Sequence, residues 1–419
     1  MSSNRQERTA VIKLVEFSLI LVVLTLPFSI LINSYCIVFF AFAAIISNKL
    51  TKKWANLRES WRIWIWPMIY YLWMAVRLYT DESPARTPHL LETGFSLIVF
   101  PVIFGSIDKL GPKLVRRVLV AFAVANIGAS FYCLWKSYED YKASDYINFF
   151  FYHHLSNHIG ISAIYYSMYC VFSVYVLLYY FLLRKKKTWI RLLAILAIAY
   201  LGVFILMLSS KAFIVILYLS ALGVVVYSFY YLRYKLSATI MFLLLIAIPF
   251  LLVKFPYVTE RLRDTQIREY RGAADNQNGL AVRGVLWEST WALIKQRPIV
   301  GWGYFYGKDV LQYQYLQKGF EEGVKDDYNS HNQYLFTWLC YGLIGLITLL
   351  VFFWQLLRSF LLGRQFLGIC LLLMFILANN TECMLETQKG IVFFLAFSNL
   401  LLYHLTSRIS SGRVDHLAS

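Results

Sequence analysis

WIRLLAILAIAYLGVFILMLSSKAFIVILYLSALGVVVYSFYYL, residues 189–232, holds two charged residues, Arg191 and Lys211, in an otherwise apolar run. A helix that rises 1.5 Å per residue needs about 20 apolar residues to cross about 30 Å of hydrocarbon. The stretch is long enough for two such helices, and the polar Ser209-Ser210-Lys211 is where the chain turns between them. No soluble fold has a use for that much apolar surface.

The same pattern recurs along the chain. Apolar blocks lie at 14–30, 35–47, 63–79, 90–107, 118–134, 161–183, 189–208, 213–232, 238–253, 334–357, 366–378 and 391–405. The whole chain has 419 residues, 59% hydrophobic and 15% charged, against roughly 25% charged in an ordinary soluble domain. The expected fold is an all-α integral membrane protein of about twelve spans.

Basic residues orient it. Arg5, Arg8, Lys13, Lys49 to Arg58, Lys109 to Arg117, the run Arg184 to Lys187, Arg233, Lys235, Arg358, Arg364, Arg408 and Arg413 flank spans on one side. Arg86, Lys136 and Lys142 lie on the other. Lys and Arg are retained on the cytoplasmic side, so both termini are expected inside. The net charge of +17 therefore reads as membrane anchoring, and nucleic-acid binding is discarded. No small-residue cleavage site follows the first span, which is kept as a helix. Of the six cysteines, five lie in or beside apolar blocks, and none shows metal-ligand spacing.

The chain divides at its one long polar interruption: residues 1–253 with nine spans, an external loop at 254–330, and 331–419 with three more spans and a cytoplasmic tail. The loop keeps Trp287, Trp291, Trp302 and Tyr304 among its charges, so it should fold. An interfacial amphipathic helix is expected over 281–296, stopped by Pro298, and a second over 308–317, with Gly301-Trp302-Gly303 as the turn between them. Arg261, Arg263, Arg268, Arg271, Arg283 and Arg297 exceed what the positive-inside rule allows, but long translocated loops escape that rule, and solvated charge explains most of them. Other external segments are expected at 81–89, 138–158 and 379–388. The carboxylates of the last, Glu382 and Glu386, read as solvated.

Lys211 is a cation at the membrane edge, either snorkelling or facing an anion. His331 opens the span after the long loop and offers a base near neutral pH, though a single interfacial histidine is more often structural. Together with Arg283 they fall on one face of the membrane, and two cations with one base suit a diphosphate leaving group and a hydroxyl nucleophile.

At these positions the chain resembles the bacterial O-antigen ligase superfamily, which includes lipopolysaccharide ligases, O-antigen polymerases and protein O-oligosaccharyltransferases. The resemblance is carried by Ser209-Ser210-Lys211, Val282-Arg283-Gly284-Val285-Leu286-Trp287, Pro298-Ile299-Val300-Gly301-Trp302-Gly303 and His331-Asn332-Gln333-Tyr334-Leu335. Leu91-Glu92, Ser96-Leu97 and Phe100-Pro101 add a fainter likeness.

It implies an inner-membrane, all-helical type C glycosyltransferase with a periplasmic active site. The donor would be a glycan on undecaprenyl diphosphate, and the acceptor a hydroxyl on lipid A core, a growing glycan or a protein, with lipid A core favoured. No metal or other cofactor is implied. Carried over, His331 activates the acceptor, Arg283 and Lys211 hold the diphosphate, and Asn332, Trp287, Gly301 and Gly303 support them. Lys211 departs from the family's usual arginine, and lysine lacks the planar two-pronged donor set. A transporter of lipid-linked or small polar substrates, or a non-catalytic assembly subunit, would share the topology. A transporter would also show paired ionisable groups within its spans.

Overall fold

The computed structural model describes residues 2–81, 89–108, 110–184, 186–230 and 279–410. The apolar block at 238–253, Arg86, Arg233, Lys235, the four arginines Arg261 to Arg271 and the first part of the long loop lie outside the described residues.

Among the described residues every regular element is helical. Five helices are long and apolar enough to cross a membrane: Ile30–Ser47 (α2), Pro112–Ser144 (α7), Ala163–Leu182 (α9, whose last turn widens into a π-helix), Thr188–Met207 (α10) and Gln333–Leu362 (α15). Shorter apolar stretches lie at Lys211–Gly223 within Lys211–Tyr230 (α11), at Phe366–Ala378 (α16) and at Gln388–Tyr403 within Gln388–Ser410 (α17). Ser2–Thr25 (α1) and Trp61–Tyr79 (α4) pack among them, and the short Leu50–Glu59 (α3) and Tyr152–Asn157 (α8) lie in the connections after α2 and α7.

Two blocks depart from expectation. The stretch at 90–107 is two helices, His89–Gly94 (α5) and Ser96–Ser106 (α6). A Cβ on Gly94 would run into the terminal methyl of Met74 on α4, which would have to shift. At the other end, α7 runs on through Ser144, so the external segment expected at 138–158 begins as helix.

The main core is aromatic. Phe122 of α7, Tyr169 and Phe172 of α9, and Phe393 and Phe397 of α17 interlock, with Phe122 and Phe397 ring centroids 4.6 Å apart. Lipid is as apolar as these side chains, so what favours their association is close packing, about 0.5–1.5 kcal/mol for each well-placed aromatic pair.

A second, separate core lies within the long loop and under it. Gly279–Ile294 (α12) and Phe305–Gln317 (α13) match the two helices expected there, and Glu321–Lys325 (α14) follows. Leu286, Leu293, Trp302, Leu311, Tyr315 and Phe320 from this region bury against Phe336, Leu339 and Cys340 of α15. Lys318, just past the end of α13, pairs with Glu288 in the middle of α12 at 2.8 Å.

The loop grips α15 where that helix breaks. Gly342 has φ 68° and ψ −173°, which splits α15 into a half-helix at 333–341 and a longer piece at 343–362. A break in a spanning helix exposes backbone groups that lipid cannot satisfy, and here the segment 298–303 satisfies them. The amides of Trp302 and Gly303 donate to the carbonyls of Leu339 (2.8 Å) and Cys340 (2.9 Å), while the Leu343 amide donates to Pro298 O (2.9 Å). Trp73 Nε1 of α4 donates to Tyr341 O at 2.8 Å.

Candidate functional site

The N-terminal end of the half-helix is capped by Asn332, whose Oδ1 accepts from the amides of Tyr334 (3.0 Å) and Leu335 (3.1 Å). His331 comes just before the cap. Its backbone is left-handed, φ 44°, and its amide donates to Asn329 Oδ1 at 2.9 Å. A non-glycine residue in that region costs about 1–3 kcal/mol and persists only where the surroundings impose it. The effect is to turn the imidazole away from the helix, edge-on to Tyr328 with centroids 5.2 Å apart.

The imidazole meets Glu382. His331 Nδ1 lies 3.0 Å from Glu382 Oε1. The side chain of His331 is 29% exposed and that of Glu382 11% exposed, so the pair has a wet end at the ring and a dry end at the carboxylate. Burial alone would raise the Glu382 pKa. The hydrogen bond and charge of His331, the Cys383 amide at 3.2 Å and the charge of Arg283 outweigh it and hold the carboxyl below its usual value. An ionised carboxylate only accepts, so the proton of a neutral His331 belongs on Nδ1 and the lone pair on Nε2.

Arg283, on α12, reaches the same turn. One of its terminal nitrogens lies 3.5 Å from Thr381 O, the residue before Glu382, and the other 3.3 Å from Gly279 O. Its Nε is sealed from solvent without a partner.

That turn, 379–387, is bolted to the start of the half-helix by backbone-directed bonds. Asn332 Nδ2 donates to Asn380 O (3.2 Å), the Gln333 amide to Asn379 O (2.9 Å), and the Leu385 amide to Gln333 Oε1 (2.9 Å). Lys389, at the start of α17, secures the far end by donating to Leu26 O (3.3 Å) and Phe28 O (2.8 Å) between α1 and α2.

The solvated reading of Glu382 is therefore wrong, and Glu386 is only partly exposed. Glu382 is buried, and Glu386 has one oxygen sealed away from water. Their position in the last external loop was visible in the sequence, but their partners lie about fifty residues or more away. The legible signal was Asn379-Asn380-Thr381-Glu382, four polar residues in a row between two apolar blocks.

The other candidates are distributed differently. Lys211 is the first residue of α11 and joins neither Arg283 nor His331 in the hydrogen bonds and ion pairs of the described residues. Trp287 follows Arg283 by one helical turn and is 36% exposed. Gly301 and Gly303 belong to the grip on the broken helix. Both have positive φ, 73° and 86°, and a Cβ on Gly303 would meet Asp81 Oδ2 at 2.7 Å. That carboxylate accepts from the amides of Phe305 (2.7 Å) and Tyr306 (3.1 Å), capping α13 from a distant part of the chain.

No group of His, Cys, Asp and Glu with metal-ligand geometry occurs among the described residues. No curated protein matches the chain. Residues 196–350, less than half of it, match the family model described as O-antigen ligase. That segment contains Lys211, Arg283 and His331 but not Glu382, and the match supports the likeness of this chain to the O-antigen ligase superfamily.

Proposed function

We propose that this protein is a membrane glycosyltransferase that moves a glycan from undecaprenyl diphosphate to an acceptor hydroxyl at the periplasmic face of the inner membrane. The observation that carries the reading is the His331–Glu382 pair, 3.0 Å apart, on a turn that Arg283 also reaches. In this reading the chain has about twelve spans with both termini cytoplasmic, and lipid A core is the favoured acceptor.

The chemistry follows from the tautomer. Nε2 of His331 removes the acceptor's hydroxyl proton as that oxygen bonds to the anomeric carbon. The bond from that carbon to the diphosphate oxygen breaks, and its electron pair leaves with the diphosphate. Glu382 stabilises the imidazolium so formed. Arg283 bears on the departing charge through charge-assisted hydrogen bonds worth about 1.5–3 kcal/mol each.

Lys211 would serve the same charge. It stands at the start of α11, in the turn between two apolar helices, where the resemblance puts a diphosphate-binding cation. The half-exposed Trp287, one turn from Arg283, suits the lipid headgroup level.

The test is transfer by purified protein in lipid nanodiscs, with a polyprenyl diphosphate-linked glycan and acceptors of each kind. His331→Ala should abolish transfer while donor still binds, and Arg283→Ala should raise the donor concentration needed. Normal transfer by His331→Ala would overturn the assignment.

A further inference from the structure

At the far end of α15 from His331 lies a pocket that the chemistry above does not use. The start of α7, the end of α9, the start of α16 and the later part of α17 meet there, and Pro112, Tyr179, Tyr180, Arg184, Gln365 and Leu401 line it. In the orientation proposed above it opens at the cytoplasmic leaflet.

One wall comes from the widened end of α9. Over Leu178–Leu182 the helix takes a π-turn, closed by the Leu183 amide donating to Leu178 O at 3.0 Å, and such turns recur at functional sites. The rings of Tyr179 and Tyr180 stand side by side there, with centroids 4.9 Å apart. The Arg184 guanidinium lies over both, 4.7 Å and 5.2 Å from their centroids, and donates to Tyr179 Oη at 2.8 Å. Stacking fixes the plane of the guanidinium, and the accepting hydroxyl keeps its own hydrogen to donate. Tyr179 is itself stacked on Phe366, the first residue of α16.

Two helices begin at this pocket, α7 with 33 residues and α16 with 13. No side chain caps either one, and neither carries an acidic residue in its first turn. Each start presents backbone amides and the positive end of its dipole, which favour an anion. Gln365, just before α16, is 7% exposed and lines the pocket. Its side-chain amide makes no hydrogen bond among the described residues. A buried amide without a partner is costly, so a ligand that pairs with it is favoured.

A stacked guanidinium, a phenol hydrogen, a buried amide and two uncapped helix starts together suit an anion with several acceptor oxygens. We propose that this pocket is a binding site for a phosphate group, on the face opposite glycan transfer and independent of that reaction. An anionic lipid headgroup and the free ion share this chemistry, and the leaflet at this face is rich in the former.

The test follows thermal melting of the full-length protein in detergent against added phosphatidylglycerol, diacylglycerol and inorganic phosphate, for wild type, Arg184→Ala and Gln365→Leu. Diacylglycerol has the chains without the phosphate and should leave the wild-type midpoint unchanged. A saturable rise with phosphatidylglycerol alone assigns the site to a lipid headgroup, and a saturable rise with inorganic phosphate assigns it to the free ion. In each variant the concentration for half the rise should increase about tenfold or more, the loss of one charge-assisted hydrogen bond. Arg184 is exposed, so Arg184→Ala keeps the test decisive if Gln365→Leu fails to fold. The proposal is overturned if neither phosphate-bearing probe shifts the wild-type midpoint, if diacylglycerol shifts it as much as phosphatidylglycerol does, or if Arg184→Ala responds at the wild-type concentration.

Discussion

Glu382 is held below the ordinary carboxylate pKa because the cations and donors facing it outweigh its burial. Its contribution to stability is therefore present above the unfolded pKa and disappears as the pH falls through the folded one. Melting of the wild type in detergent, scanned from about pH 6 to pH 3, should show that loss, and Glu382→Gln should lack it. The same substitution should lower transfer about 10²-fold or more, since a glutamine cannot stabilise the imidazolium. At Lys211 a charge-based role predicts that Lys211→Arg retains activity better than Lys211→Ala, read from initial rates; equal loss would mean that packing, and not diphosphate, fixes the lysine. His331 was legible as a candidate because it opens the span after the long loop, and Arg283 because it lies on the helix expected within that loop. Glu382 was not. Its burial depends on Asn332, Gln333 and Lys389 closing the turn around it, and no local pattern announces that.

Among the elements, the broken helix and the segment that docks on it matter most to the site. The sequence reading took α15 as one span and Gly301-Trp302-Gly303 as a turn. Both are true of the covalent chain, but neither shows that the turn supplies hydrogen bonds to the break. The glycines are needed because backbone must approach backbone: Gly301 lies against Gly342 and Leu339, and Gly303 against Asp81. Gly303→Ala combines an unfavourable positive φ with a collision against a buried carboxylate, and should destabilise by about 2–4 kcal/mol in a thermal or denaturant melt. Asp81→Ala should cost about 1–2 kcal/mol by uncapping α13. Both should reduce transfer only as far as they reduce folded protein, because these residues build the platform behind the half-helix and do not touch the His331–Glu382 pair.

The molecule as a whole is a bundle with two cores, one aromatic within the bundle and one where the long loop lies over α15. Its sidedness is open to direct measurement. With the termini inside, a single cysteine introduced at Lys187 should react with an impermeant thiol reagent only from the cytoplasmic side, and one at Lys318 only from the opposite side. Labelling of both from one side would reverse the topology or split the bundle differently. Membrane residence, helical class, the folded long loop and the elements that would carry the chemistry were all determined by the chain's own order of apolar and polar residues, because length and hydropathy are local properties that lipid reads directly. Which carboxylate meets the histidine, and which backbone fills the helix break, was decided only by the tertiary structure. Those contacts join residues from about forty to more than two hundred and sixty positions apart, and they form only when the helices between have packed.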